Sequence, residues 1–276
     1  MNRRAAAAVL LTALAALLAS VILFPVFWMA SSSLKPRPEL FARDLTLLPV
    51  RWTLDNYRNV WDGTDFPAYF RNSFEIAALS TLLTVTIGLY AAYAIARVPF
   101  RGRYAFGLLL LATQMVPHIL LVIPLFLLFQ RLGLFNTHAA LVIAYTAFSL
   151  PFTIWLLRGF FEAIPAELED AAAIDGASEL GTFRRVILPL AGPGIAAVTM
   201  FAFIRAWNEF LFALVFLQSH ELFTLPIGLA SFQEEYTFRW DLIMAGASVI
   251  TLPVLLFFLL MQRFIVQGLL GGAVKG

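Results

Sequence analysis

Residues 5–30 read AAAAVLLTALAALLASVILFPVFWMA, 26 consecutive side chains without a charge. An ionised side chain at mid-bilayer costs about 3 kcal/mol on insertion scales, and about 20 apolar residues rising 1.5 Å each cross a hydrocarbon layer of about 30 Å. The stretch therefore predicts a membrane-spanning helix. Asn2-Arg3-Arg4 ahead of it imitates the start of a secretory signal. The apolar run nevertheless continues through Val21 to Ala30, well past a usual signal core, so an uncleaved first span is expected.

The rest of the chain has the same character. Its 276 residues are 61% apolar and 13% charged, with a mean hydropathy of +0.84, against about 45–50% and 25% in soluble domains. Further charge-free windows predict spans at about 76–96, 104–130, 138–157, 189–217 and 242–262, the fifth interrupted by Arg205, Asn208 and Glu209. The expectation is an all-α, multi-pass membrane protein, with six transmembrane helices in a single domain over 1–276. Gly133, Asn136 and Thr137 suit a tight reversal between the third and fourth spans. A formal net charge of +2 gives no reason to expect a nucleic-acid partner, and the lack of Cys removes disulfides, thiol catalysis and thiolate metal sites.

Lys and Arg in short loops set the orientation, because cytoplasmic segments hold the excess. With both termini inside, Arg3, Arg4, Arg97, Arg101, Arg103, Arg158, Arg184, Arg185, Arg263 and Lys275 face the cytoplasm. The outside short loops receive Arg131 and Arg239, and the remaining loop cations are spread through a long segment that weighs little in the rule. The expectation is N-in, C-in in the cell membrane, with outside loops 31–72 and 218–241 and a cytoplasmic loop 158–188.

That cytoplasmic loop carries local signals. Pro165 suits a first helical turn, Glu167, Glu169 and Asp170 place negative charge at the positive helix end, and Gly176 suits a left-handed C-terminal cap. A short helix over about 165–175 is predicted, followed by a second one capped by Ser178. The loop centre is acidic and lacks the Lys, Arg and Trp of interfacial helices, so a protein partner is expected rather than the lipid surface.

The order Asp170-Ala171-Ala172, Gly176, Val186, Leu188-Pro189 resembles the E-A-A, G, I-x-L-P loop of ABC importer permeases. Further similarity lies in Ser32-Ser33-Leu34-Lys35-Pro36, Asn56-Tyr57, Asn72-Ser73, Ala91-Ala92-Tyr93-Ala94, Leu132-Gly133-Leu134 with Asn136-Thr137, Ala206-Trp207-Asn208-Glu209-Phe210 and the Gln262–Gly276 tail. Together these resemble the sugar-importer branch, specifically the second permease subunit of maltose-type transporters. Asp170 stands where that family usually has Glu, and Val186 where it usually has Ile.

The resemblance implies a type I ABC importer permease, one half of a heterodimeric pore with a second permease subunit. It also implies two ATPase subunits that hold ATP and Mg, and an extracytoplasmic binding protein that delivers a sugar, a di- or oligosaccharide. On that basis Glu167, Asp170, Ala171, Ala172, Asp175 and Gly176 would dock the ATPase, and Ser231, Phe232, Gln233 and Glu234 would meet the binding protein. The chain itself carries no G-x-x-x-x-G-K-[ST] phosphate loop. It is expected to be a pore subunit rather than an enzyme, with no cofactor or metal of its own and with membrane lipid around it.

Gln114 and His118 are spaced to share one face of span three, and Arg205 and Glu209 one face of span five. With Asn208 they are the candidates for a sugar path, or a self-neutralising pair that orders the bundle. The alternative is an ion-coupled secondary transporter, which needs intramembrane ionisable groups or broken helices. An intramembrane protease is disfavoured, because His118, His138 and His220 form no ligand cluster in sequence.

Overall fold

The computed structural model describes residues 3–233 and 238–273, with side chains described for 7–233 and 238–263. The regular structure of the described residues is helical, with one isolated bridge between Gln233 and Phe238 and no strand. In chain order the helices are α1 (Arg3–Ser33), α2 (Arg37–Leu40), α3 (Asp55–Asp62), α4 (Phe66–Arg97), α5 (Arg103–Thr113), α6 (Val122–Arg131) and α7 (His138–Ala163). They continue as α8 (Glu167–Ile174), α9 (Glu179–Thr182), α10 (Leu188–Leu190), α11 (Gly192–Trp207), α12 (Leu211–Phe216), α13 (Leu225–Ala230) and α14 (Trp240–Ala273). Short 3-10 turns at His118–Leu121 and His220–Leu222 and a π turn at Phe183–Ile187 lie between them.

Hydrocarbon offers no hydrogen bonds, so a spanning segment has to satisfy its backbone internally. Among the described residues four helices are long and apolar enough to cross: Ala7–Ser33, Phe66–Arg97, His138–Ala163 and Trp240–Arg263. Hydroxyls within the helices bond back to the carbonyl four residues earlier, as Ser20 does to Ala16, Thr199 to Ile195, Ser248 to Met244 and Thr251 to Ala247.

Spans three and five depart from the uninterrupted windows that hydropathy predicts. Arg103–Thr113 and His118–Arg131 meet at 89°, and Glu179–Leu190 and Gly192–Trp207 at 77°, so the count reaches six if each bent pair is one span. Pro117 lacks an N–H and disfavours helix at the residue before it, and Pro193 follows the second break. Span five breaks again after Trp207, where Asn208 caps α11.

The chain divides into two compact units, Met1–Pro67 with Gly228–Leu252, and Ala68–Ile227 with Pro253–Gly276. In the first unit the 31–57 segment is held by buried polar groups. Asn56 Nδ2 donates to the carbonyls of Ser33 and Lys35, both at 2.8 Å. The Lys35 ammonium donates to the Thr46 carbonyl and lies 4.7 Å from the Trp28 ring centroid. The Val50 N–H, the Thr46 hydroxyl and the Arg51 N–H bond to the Glu39 carboxylate, which holds it below the usual carboxylate range.

In the second unit a core of Ala92, Ile95, Ile154, Leu157, Phe161, Phe183, Ile187, Ala191 and Val198 joins α4, α7, the π turn and α11. α7 and α11 approach closely at Gly194, where a Cβ would lie 2.4 Å from Phe160 Cγ. The reversal after α6 forms as the sequence predicts, with Gly133 at φ 68° and Asn136 at φ 58°. Asn136 Oδ1 accepts from the Gln218 and Ser219 N–H groups, and Thr137 caps α7.

Candidate functional site

The loop after α7 builds an exposed helix, turn, helix element in the second unit. α8 starts just after Pro165, carries Glu167, Glu169 and Asp170 in its first turn, and has no buried residue. Gly176 at φ 81° ends it, and the Gly176 and Ala177 N–H groups return to the carbonyls of Ala173 and Ala172 at 3.0 Å each. Ser178 then caps α9 by accepting from the Gly181 N–H at 3.2 Å. Glu167, Asp170, Ala171, Asp175 and Gly176 are exposed and Ala172 is half-buried. Beside them stands Ile174, 87% exposed, with Leu168 and Leu180 also uncovered. Ile174 is absent from the candidates read from sequence, although an apolar residue two positions before a helix-ending Gly was the available signal.

Glu169 behaves differently from its acidic neighbours. Its carboxylate accepts from Arg97 Nε at 2.5 Å and from the Tyr93 hydroxyl at 2.9 Å, both on the last turns of α4. Arg97 also donates to the Ile164 carbonyl at the end of α7, at 2.7 Å. Tyr93 and Arg97 are four apart on one helix face, a spacing visible in sequence, but nothing in the sequence names Glu169 as their partner.

The second cluster lies where the broken spans meet. His118, Tyr145, Phe148, Ser149, Arg205, Glu209 and Phe212 help to line a cavity of about 200 Å³. Arg205 donates from Nη2 to His118 Nδ1 at 2.8 Å. Guanidinium can only donate, so the accepting imidazole nitrogen carries a lone pair. The His118 ring rests on Phe148 with centroids 4.6 Å apart. Glu209 accepts from the Tyr145 hydroxyl at 2.5 Å and from the N–H groups of Phe212 and Ala213 at 2.9 and 3.1 Å, so it closes the orphan amides that begin α12.

These contacts correct the pairing expected from spacing. Glu209 lies beyond the end of α11, and its carboxylate turns to α12 and α7 rather than to Arg205 four residues earlier. Asn208 is exposed and gives its amide to the Ile204 carbonyl at 2.9 Å, capping its own helix. Gln114 and His118 are not on one continuous helix face. They fall either side of the bend, with Gln114 Nε2 donating to the Phe148 carbonyl at 3.3 Å. In the outside segment, Phe232 is 8% exposed and packs near Gly246 in the first unit. Ser231 and Gln233 are exposed, and Glu234 lies outside the described residues.

Residues 84–271 match the family described as the binding-protein-dependent transport system inner membrane component. The chain belongs to this family of transport permeases. This permease is 41% identical over 265 residues, 95% of each chain, to a trehalose/maltose transport system permease protein of Thermococcus litoralis. A trehalose transport system permease protein of Mycobacterium tuberculosis is 43% identical over 257 residues, 92% of this chain and 93% of its own. Among solved structures, a chain of a bacterial ABC transporter that imports the acidic polysaccharide alginate superposes with a TM-score of 0.80 at 25% identity. That match covers 95% of the permease and 98% of the other chain.

Proposed function

We propose that this chain is one of two pore-forming subunits of an ATP-driven ABC importer that moves a di- or oligosaccharide from an extracytoplasmic binding protein into the cytoplasm. The two named relatives carry trehalose and maltose in their descriptions, which supports a saccharide as cargo. Both termini face the cytoplasm in this reading, and six spans, two of them bent, form half of the pore. ATP and Mg belong to the two ATPase subunits.

The observation that carries the assignment is α8. It is a helix with no buried residue and a left-handed Gly176 cap, and Ile174 and Leu168 are uncovered beside the exposed carboxylates of Glu167, Asp170 and Asp175. Such a helix is marginal alone and offers exposed apolar and acidic side chains to a docking protein. The ion-coupled alternative finds less support, because Arg205 and Glu209 already have partners and the family's description is of a binding-protein-dependent system.

Gly176→Val tests the docking role. A β-branched residue in the left-handed region costs about 1–2 kcal/mol, enough to weaken docking about tenfold. The variant should insert normally, but less ATPase should co-purify and sugar-stimulated hydrolysis should fall, while Gly176→Ala is milder. Normal sugar uptake with normal ATP use in Gly176→Val contradicts the assignment. The His118, Arg205 and Glu209 cluster would border the sugar path. Its cavity of about 200 Å³ is below the roughly 300 Å³ at which drug-sized ligand pockets begin, so a disaccharide needs this region to open.

A further inference from the structure

The helix that meets the ATPase has to be connected to the spans if its movement is to open a path, and α8 has little to connect it. None of its residues is buried, so apolar packing does not weld it to the bundle. One side chain does enter the bundle. Glu169 and Arg97 are 19% and 18% exposed and meet at 2.5 Å, across 72 residues of sequence. By contrast, Arg58–Asp55, Arg71–Glu75, Arg158–Glu162 and Arg239–Asp241 each join residues no more than four apart.

The partners of Glu169 lead onward. Arg97 spends its second donor on the Ile164 carbonyl, tying the end of α7 to the same point. Tyr93 gives its hydroxyl to Glu169 while its ring packs 4.6 Å from Phe183 in the π turn and 5.9 Å from Phe161 in α7. Phe161 and Phe183 are buried core residues at 0% and 2% exposure. A displacement of α8 therefore pulls on the last turn of α4 through a charge-assisted pair, and on α7 and the π turn through one tyrosine.

We propose that Tyr93, Arg97 and Glu169 form a latch that transmits movement of the docking helix into α4 and α7, acting as positioning residues for coupling rather than as contacts of sugar or ATPase. The proposal rests on the importer assignment above. Two consequences separate it from a staple that only stabilises the fold. Loss of the pair should change the amount of sugar moved per ATP hydrolysed, and restoring opposite charges in swapped positions should restore that ratio in part. Lys at 97 has one ammonium and cannot reproduce the two-pronged contact with Glu169 and Ile164, so it should restore only part.

The test is reconstitution of the full complex in proteoliposomes with its binding protein, measuring ATPase co-purification, ATP hydrolysis and sugar uptake in the same preparations. Glu169→Gln and Arg97→Gln should retain ATPase co-purification and lose at least about fivefold in sugar moved per ATP. Tyr93→Phe, which keeps the ring, should lose less, and the double variant Arg97→Glu with Glu169→Arg should recover part of the ratio, because it restores the ion pair while a carboxylate at 97 cannot donate to the Ile164 carbonyl. Unchanged uptake per ATP in both single variants overturns the latch. So does a loss of ATPase binding that accounts for the whole defect, which would make these residues part of the docking surface. A wild-type chain that binds no ATPase overturns the importer assignment and the latch together, and is told apart because it needs no variant.

Discussion

Tyr145 and Glu209 show how a carboxylate is kept within a membrane-spanning region. Its oxygens take three hydrogen bonds, one from the phenol and two from the amides that open α12, which offsets desolvation that an unpaired charge would suffer. Removing one partner leaves the other unsatisfied, at a cost of about 1–3 kcal/mol. Tyr145→Phe and Glu209→Gln should each lower the thermal unfolding temperature of the purified complex. The double variant should fall by less than the sum, with a coupling of about 0.5–3 kcal/mol. Additive losses would show that the bond contributes nothing to stability. Asn208→Ala should leave stability nearly unchanged, because its side chain is exposed and its amide only bonds back to the Ile204 carbonyl.

Among the elements, α7 and α11 depend on a glycine for their distance. A methyl at Gly194 would lie 2.4 and 3.0 Å from Phe160 Cγ and Cβ, too close for a rotamer change alone to relieve. Overpacking of this kind costs about 1–3 kcal/mol. Gly194→Ala should therefore destabilise the detergent-solubilised protein, and Phe160→Ala in the same chain should recover part of the loss. An unfolding temperature for Gly194→Ala equal to that of the native chain would show that α7 and α11 separate freely. The broken elements have the opposite design. At 114–117 the chain gives up helical bonds for backbone turns, and at 208–210 the side chains of Asn208 and Glu209 take up freed backbone groups.

For the molecule as a whole, the arrangement across the membrane is testable because the native chain has no Cys. Single Cys residues at the exposed positions Asp62 and Ser231 should react with an impermeant thiol reagent added to intact cells, whereas those at Arg101 and Glu179 should react only after the membrane is opened. Labelling of the Glu179→Cys chain in intact cells would reverse the orientation drawn from the Arg-rich short loops. Balanced net charge does not oppose either orientation, so the loop asymmetry decides it.

What the sequence determined by itself is local. Ala7–Ser33 is a helix long and apolar enough to cross a membrane because 5–30 contain no charge, the chain reverses at 131–137 because Gly133 and Asn136 accept positive φ, and α8 stops at Gly176 for the same reason. Ser178 caps because its hydroxyl reaches an amide three residues on. Each of these is set by hydropathy or backbone sterics within one turn. The tertiary structure decided which side chains meet: Arg205 with His118 across 87 residues, Glu209 with Tyr145 across 64, and Glu169 with Arg97 across 72. Helical spacing permitted a pair of Arg205 with Glu209, but after the break at Trp207 the Glu209 carboxylate bonds to Tyr145 and the amides of α12; the family resemblance offered Phe232 to a partner, and in the first unit it packs near Gly246. Hydropathy also ran through the bends in spans three and five, since an apolar window is equally apolar whether straight or folded at 89°. Periodicity reports a residue's face on its own helix, and only the packing of helices brings two faces together.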